Sequence, residues 1–189
     1  MTPFAALFAM WTLMMVAMML PSAAPAIARG ARGLSRLGFG AAYLLVWTVF
    51  SGAAALVQWW LERAALLSDS MALRSSVVAS IILIAVGAYQ LTPAKRHSLL
   101  QCRVRPAQVP TNFGQSIAAG LRYGGACVAS SAALMALLFV AGVMSYAWMV
   151  AIALWIAGEK WLPWGAALPR FVGVGLLAWG GVMLALLPR

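Results

Sequence analysis

Between Arg122 and Glu159 the chain carries no charged side chain, and the same holds from its first residue to Ala28, from Leu37 to Leu61 and from Ser75 to Ala94. Stretches of this kind cannot form a water-facing surface. About 20 consecutive apolar residues are the length that crosses the hydrocarbon core of a bilayer as a helix. Only 8% of the residues are charged, against roughly 25% in water-soluble domains. The pattern predicts an all-α, polytopic transmembrane helix bundle of about six spans, forming one domain over residues 1–189. The expected spans are 4–27, 39–61, 75–91, 124–141, 146–158 and 170–187. Pro21 and Pro25 should bend or stop the first. Gly142-Val143-Met144-Ser145-Tyr146 should be the turn that divides the long apolar run, because glycine ends helices. Trp59, Trp60, Trp161 and Trp164 are placed as interfacial anchors. The start, Met1-Thr2-Pro3-Phe4, has neither a basic region nor a small-residue cleavage site, so the first stretch reads as a retained span.

Thirteen basic residues face three acidic ones, for a net charge of +10. That balance does not indicate nucleic acid, because the basic residues sit in short gaps between apolar stretches. There they act as topology signals and as contacts to anionic lipid, so the bilayer is the expected partner. Arg29, Arg32 and Arg36 occupy the first gap. Lys95, Arg96, Arg103, Arg105 and Arg122 occupy the third, a polar segment over 94–122 broken at Pro106 and Pro110. The gap with Glu62, Arg63, Asp69 and Arg74 is balanced. The positive-inside rule therefore places the first and third gaps in the cytoplasm, with 94–122 as a cytoplasmic loop and both termini outside.

Candidate chemistry is concentrated in sulfur. Met10, Met14 and Met18 are spaced i, i+4, i+8, so on a helix their thioethers form one row. Met15 and Met19 form an adjacent row. Thioether sulfur is a soft donor suited to Cu(I), and methionine is equally a common apolar filler. Spacing alone leaves both readings open. His97, the single histidine, lies among cationic neighbours that repel a metal ion. Cys102 adjoins Arg103, whose charge would favour the thiolate, the metal-binding form. Cys127 stands in Gly124-Gly125-Ala126-Cys127-Val128-Ala129-Ser130-Ser131, where a small buried hydrophobe is the default. Glu159 is expected to pair with its neighbour Lys160 at the interface. Gly124, Gly125, Gly142, Gly173, Gly175, Gly180 and Gly181 are expected on faces where helices approach closely. No Ser–His–carboxylate set, phosphate-binding loop or HExxH motif is present, so no enzyme is expected.

Several pieces resemble a bacterial family of metal-binding integral membrane proteins, a domain of unknown function (number 2182) with some members labelled copper chaperone. They are Trp11-x-x-Met14-x-x-Ala17-Met18-Met19-x-Pro21-x-x-x-Pro25, Tyr89-Gln90-x-x-Pro93-x-Lys95, Cys102-Arg103, Gly124 with Cys127, and Ala133-Leu134-Met135. Gly142-Val143-Met144, Trp148-Met149 and Glu159-Lys160-x-x-Pro163 complete the match. The resemblance implies a multi-pass protein of the bacterial inner membrane. Where the family pattern has further cysteines this chain has Ser98, Ser130 and Ser131, and Ser145 stands where the family has asparagine. A hydroxyl is a hard, weak ligand for a soft metal.

Two readings follow. In the first, Met10, Met14 and Met18 supply thioethers for Cu(I). Cys127, Met144 and Met149 supply donors from later spans, and Cys102 is a transfer ligand at the cytoplasmic edge. Copper would be bound and passed to a copper-receiving protein without turnover. In the second, the chain is a metal-free structural or interaction subunit of a larger membrane complex. The first requires the thioether row to face other spans that carry soft donors.

Overall fold

A computed structural model describes residues 2–30, 33–68, 71–103 and 112–186, with the side chains of residues 29 and 30 left aside. Arg32, Asp69, Arg105, Pro106 and Pro110, used above as topology signals or breaks, lie outside the described residues, as do residue 187 and the side chain of Arg29. The described helices are α1 (Phe4–Gly30), α2 (Leu34–Arg63), α3 (Ser76–Gln90), α4 (Pro93–Arg103), α5 (Phe113–Ala141), α6 (Tyr146–Trp161) and α7 (Leu168–Ala185). An isolated antiparallel bridge joins Leu67 to Leu73 in the α2–α3 connection. The all-α expectation is met.

Local chemistry accounts for several helix ends. The Ser75 hydroxyl accepts from the Val78 amide at the start of α3, and the Asn112 side chain accepts from the Gln115 amide at the start of α5. Both satisfy donors that the first turn leaves unpaired. Gly142, at φ 96°, ends α5 in a backbone conformation that favours glycine. The expected turn before α6 is therefore present. Pro21 and Pro25 do not stop the first helix: α1 runs on to Gly30 with both inside it. Prolines are tolerated in apolar helices where neighbouring groups satisfy the freed backbone atoms.

The expected count of six spans is not reached. Among the described residues four helices, α1, α2, α5 and α7, are long and apolar enough to cross a membrane, giving up to five spans if α3 and α4, bent by 63° at Leu91–Thr92, form one broken span. At about 1.5 Å per residue, α3 and α6, with 15 and 16 residues, fall short of the roughly 30 Å hydrocarbon thickness. The expected loop over 94–122 is also largely helical. It holds α4 and the first turns of α5, and α4 is amphipathic, burying Lys95, Leu99 and Cys102 at i, i+4 and i+7.

The bundle packs α3 against α7, α2 against α5 and α1 against α2. Close approach depends on glycine at particular points. A Cβ at Gly87 would lie 2.8 Å from the Gly173 carbonyl oxygen, one at Gly180 would lie 3.0 Å from that of Ser80, and one at Gly120 would lie 2.5 Å from that of Phe39. Gly124 abuts Val46. Gly125, Gly175 and Gly181 face open space, so their expected role in helix contact is not met. The core between α1, α2 and α5 holds Trp11, Tyr43, Trp47, Met15, Met19, Cys127 and Leu138. The Trp11 indole N–H donates to Gln58 Oε1 at 2.7 Å within it.

Gly120→Ala is expected to lower stability by about 1–3 kcal/mol through overpacking, read as a lower unfolding temperature in detergent. Gly125→Ala, with no atom in its way, should be neutral or stabilising by up to about 1 kcal/mol.

Candidate metal centre

The first methionine row faces another helix. Met10, Met14 and Met18 of α1 line a cavity of about 610 Å³ together with Met144, in the α5–α6 turn, and Met149 of α6. Val143 and Met144 mark one end of this groove. At the other end the Lys160 ammonium donates to Ser22 Oγ at 3.2 Å and the Trp161 indole N–H donates to the Ser22 carbonyl at 3.3 Å. α1 and α6 therefore run parallel along it, and Met10 to Ser22 spans about 18 Å of helix rise. The groove is open on its flank, where Leu13, Tyr146, Val150 and Leu154 are exposed. Met18 is buried and Met10 and Met14 are half-buried. The second row, Met15 and Met19, is fully buried in the core and does not line the groove.

Cys127 is not in the groove wall. It lies behind the inner end, in a chamber formed by α2, α4, α5 and α6. The Lys160 ammonium donates to Cys127 Sγ at 2.7 Å, and the Tyr43 hydroxyl lies 3.5 Å from the same sulfur. Cys102 and Cys127 are both buried and not joined as a disulfide, and Ser130 links them. Cys102 Sγ is 3.8 Å from Ser130 Oγ, which is 3.4 Å from Ser131 Oγ and donates to the Cys127 carbonyl at 2.9 Å. The chamber thus gathers both cysteines and two of the serines that replace family cysteines. Ser22 and Lys160 bridge it to the groove.

Glu159 does not pair with its chain neighbour. Its Oε2 accepts from Lys95 Nζ at 2.7 Å, and both side chains are 0% exposed. The Trp155 indole N–H donates to Oε1 at 3.1 Å, and Lys95 also donates to the Ser130 carbonyl at 2.5 Å. Successive residues of a helix point about 100° apart, so Glu159 faces α4 while Lys160 faces α1 and α5. Arg103 likewise does not serve Cys102. Its guanidinium donates to the Glu159, Leu162 and Pro163 carbonyls, which fixes the end of α6, where unpaired carbonyls favour a cation. His97 is exposed, with Nε2 2.8 Å from Gln101 Nε2. Among the described residues no three of His, Cys, Asp and Glu gather as a metal site.

The sequence pattern puts Lys95 at the cytoplasmic surface, pairs Lys160 only with Glu159, and gives Ser22 no part. For Lys95 a signal was present: it shares one face of α4 with Leu99 and Cys102. For Ser22 the contact crosses 138 positions, which no local pattern reveals.

The donor set is chemically divided. The groove offers neutral thioethers, which hold a soft monovalent ion weakly. The chamber offers two thiols, one already engaged by an ammonium. A lysine ammonium only donates, so a metal reaching Cys127 must displace it. All this defines a helical protein with several helices of bilayer-spanning length and sulfur donors on two connected faces. A family model described as copper chaperone, PpoB2, matches residues 8–183. The chain belongs to that family, as its motifs implied. No curated protein and no solved structure gives a match.

Glu159→Leu leaves Lys95 as an unpaired buried charge and should cost about 3–5 kcal/mol. Lys95→Met combined with Glu159→Leu should recover most of that loss. Unfolding temperatures of the single and double variants in detergent decide it: equal loss in both would contradict a compensated buried pair.

Proposed function

We propose that the protein handles Cu(I) in the bacterial inner membrane, binding and passing it without turnover. The observation that carries this reading is the convergence of Met10, Met14, Met18, Met144 and Met149 on one groove that ends at the Cys127 chamber. Family membership supports copper as the cargo. Each thioether is a weak, soft donor, so a row of them allows an ion to move between sites more readily than one strong site would. Copper would occupy the thioethers first, with Met18 nearest the junction. Cys127 and Cys102 would then hold it as thiolates, which bind more strongly and need the Lys160 ammonium to move aside. A copper-receiving protein or a larger membrane complex would take the ion onward. Ser130 and Ser131 line the chamber with hydroxyls and add little affinity for a soft metal.

The Lys160–Cys127 contact favours a second reading, in which the chamber is a self-satisfied structural element and the chain is a metal-free subunit of a membrane complex. Lys160, Ser22, Tyr43 and Cys127 already satisfy one another.

Purified full-length chain loaded with Cu(I) under reducing conditions should retain close to one copper per chain. Met14→Leu with Met18→Leu should abolish most of it, and Cys127→Ser should weaken it. Absence of copper from the unaltered chain, with a fixed protein partner co-purifying, would favour the metal-free reading.

A further inference from the structure

A second, separate cavity of about 200 Å³ lies where α3 ends, α4 begins and α7 begins. It is lined by Gln90, Thr92, Lys95, Arg96, Ala166 and Arg170, among others. Gln90 is only 3% exposed, and neither its Nε2 nor its Oε1 has a hydrogen-bond partner among the described residues. A buried, unpaired amide is costly, at about 1–3 kcal/mol, and is explained most simply by a polar occupant. Arg96 and Arg170 are exposed, and neither guanidinium has a partner among the described residues. The Lys95 ammonium is committed to Glu159 and Ser130, and no carboxylate lines the cavity. The first turns of α4, at Pro93, and of α7, with Pro169 lining the cavity, bring the positive ends of two helix dipoles to the same place.

We propose that this cavity binds a phosphate group, with Arg96 and Arg170 pairing its oxygens and the Gln90 amide donating from the buried wall. Arginine forks match phosphate oxygens in geometry as well as charge. The cavity lies at the end of the bundle where α3 leaves its apolar run and the exposed arginines Arg96 and Arg170 stand. That position favours the headgroup of an anionic lipid, and inorganic phosphate is the other source of the same chemistry. The site is independent of copper.

The test uses full-length, delipidated protein in a neutral detergent, with unfolding temperature and native mass spectrometry as readouts. Phosphatidylglycerol should raise the unfolding temperature above that with phosphatidylcholine and remain bound. Arg96→Gln with Arg170→Gln should weaken retention about tenfold or more, the equivalent of losing one charged hydrogen bond. Both positions are exposed, so the fold is unaffected. Arg122→Gln, a charge outside the cavity wall, should leave retention unchanged. Gln90→Leu should raise the unfolding temperature of the lipid-free chain and shrink the lipid-induced shift. An equal, variant-sensitive shift with inorganic phosphate alone would support the phosphate site and assign it to the free ion. Shifts with both probes that ignore Arg96, Arg170 and Gln90, or that fall equally in Arg122→Gln, would overturn the proposal.

Discussion

The ammonium of Lys95 and the carboxylate of Glu159 meet where neither reaches solvent, and α6 is held against α4 through that contact. A buried ion pair rarely adds net stability over an apolar replacement, yet losing one partner is severe. Its consequence here is positional. With Glu159 turned toward α4, the next residue, Lys160, is rotated about 100° away, into the space between Ser22 and Cys127. Arg103 fixes the end of the same helix by donating to the Glu159 carbonyl and to those of Leu162 and Pro163 just beyond it. The rest of α6 then lies along α1, and the methionines of the two helices come to share a groove.

The sulfur chemistry inherits this geometry. An open row of thioethers leads to an enclosed pair of thiols, and a fixed positive charge stands between them. Weak donors precede stronger ones along one direction of the helices, the order that the proposed passage of Cu(I) would use. The charge also makes entry conditional: a cation approaching Cys127 meets like charge at close range, in surroundings where screening is weak. Serines at two of the chamber positions reduce what the chamber can offer a soft ion, so in this chain more of the binding would fall to the methionines.

The helices were readable from the gaps between charges, because a long apolar run has few alternatives to a helix. The turn at Gly142 was readable for the same reason. The span count was not, since it depends on where α3 and α6 end, and those ends are set by contacts with α4, Arg103 and Glu159 rather than by local composition. The spacing of Met10, Met14 and Met18 showed which residues share a face, while their opposition to Met144 and Met149 required the packing of α6. The reading failed at Glu159-Lys160, where adjacency suggested a pair. On a helix adjacent residues point about 100° apart, so each found its partner elsewhere. Lys95 was misread because a basic residue in a polar-looking segment is normally solvated.

X-ray absorption at the copper edge, on the Cu(I)-loaded full-length chain in reducing detergent solution, tests the central claim most directly. The account predicts coordination by sulfur alone, with the thioether contribution falling in the Met14→Leu, Met18→Leu variant and a shorter thiolate contribution falling in Cys127→Ser. A first shell of nitrogen and oxygen, or a spectrum indifferent to both variants, would contradict it.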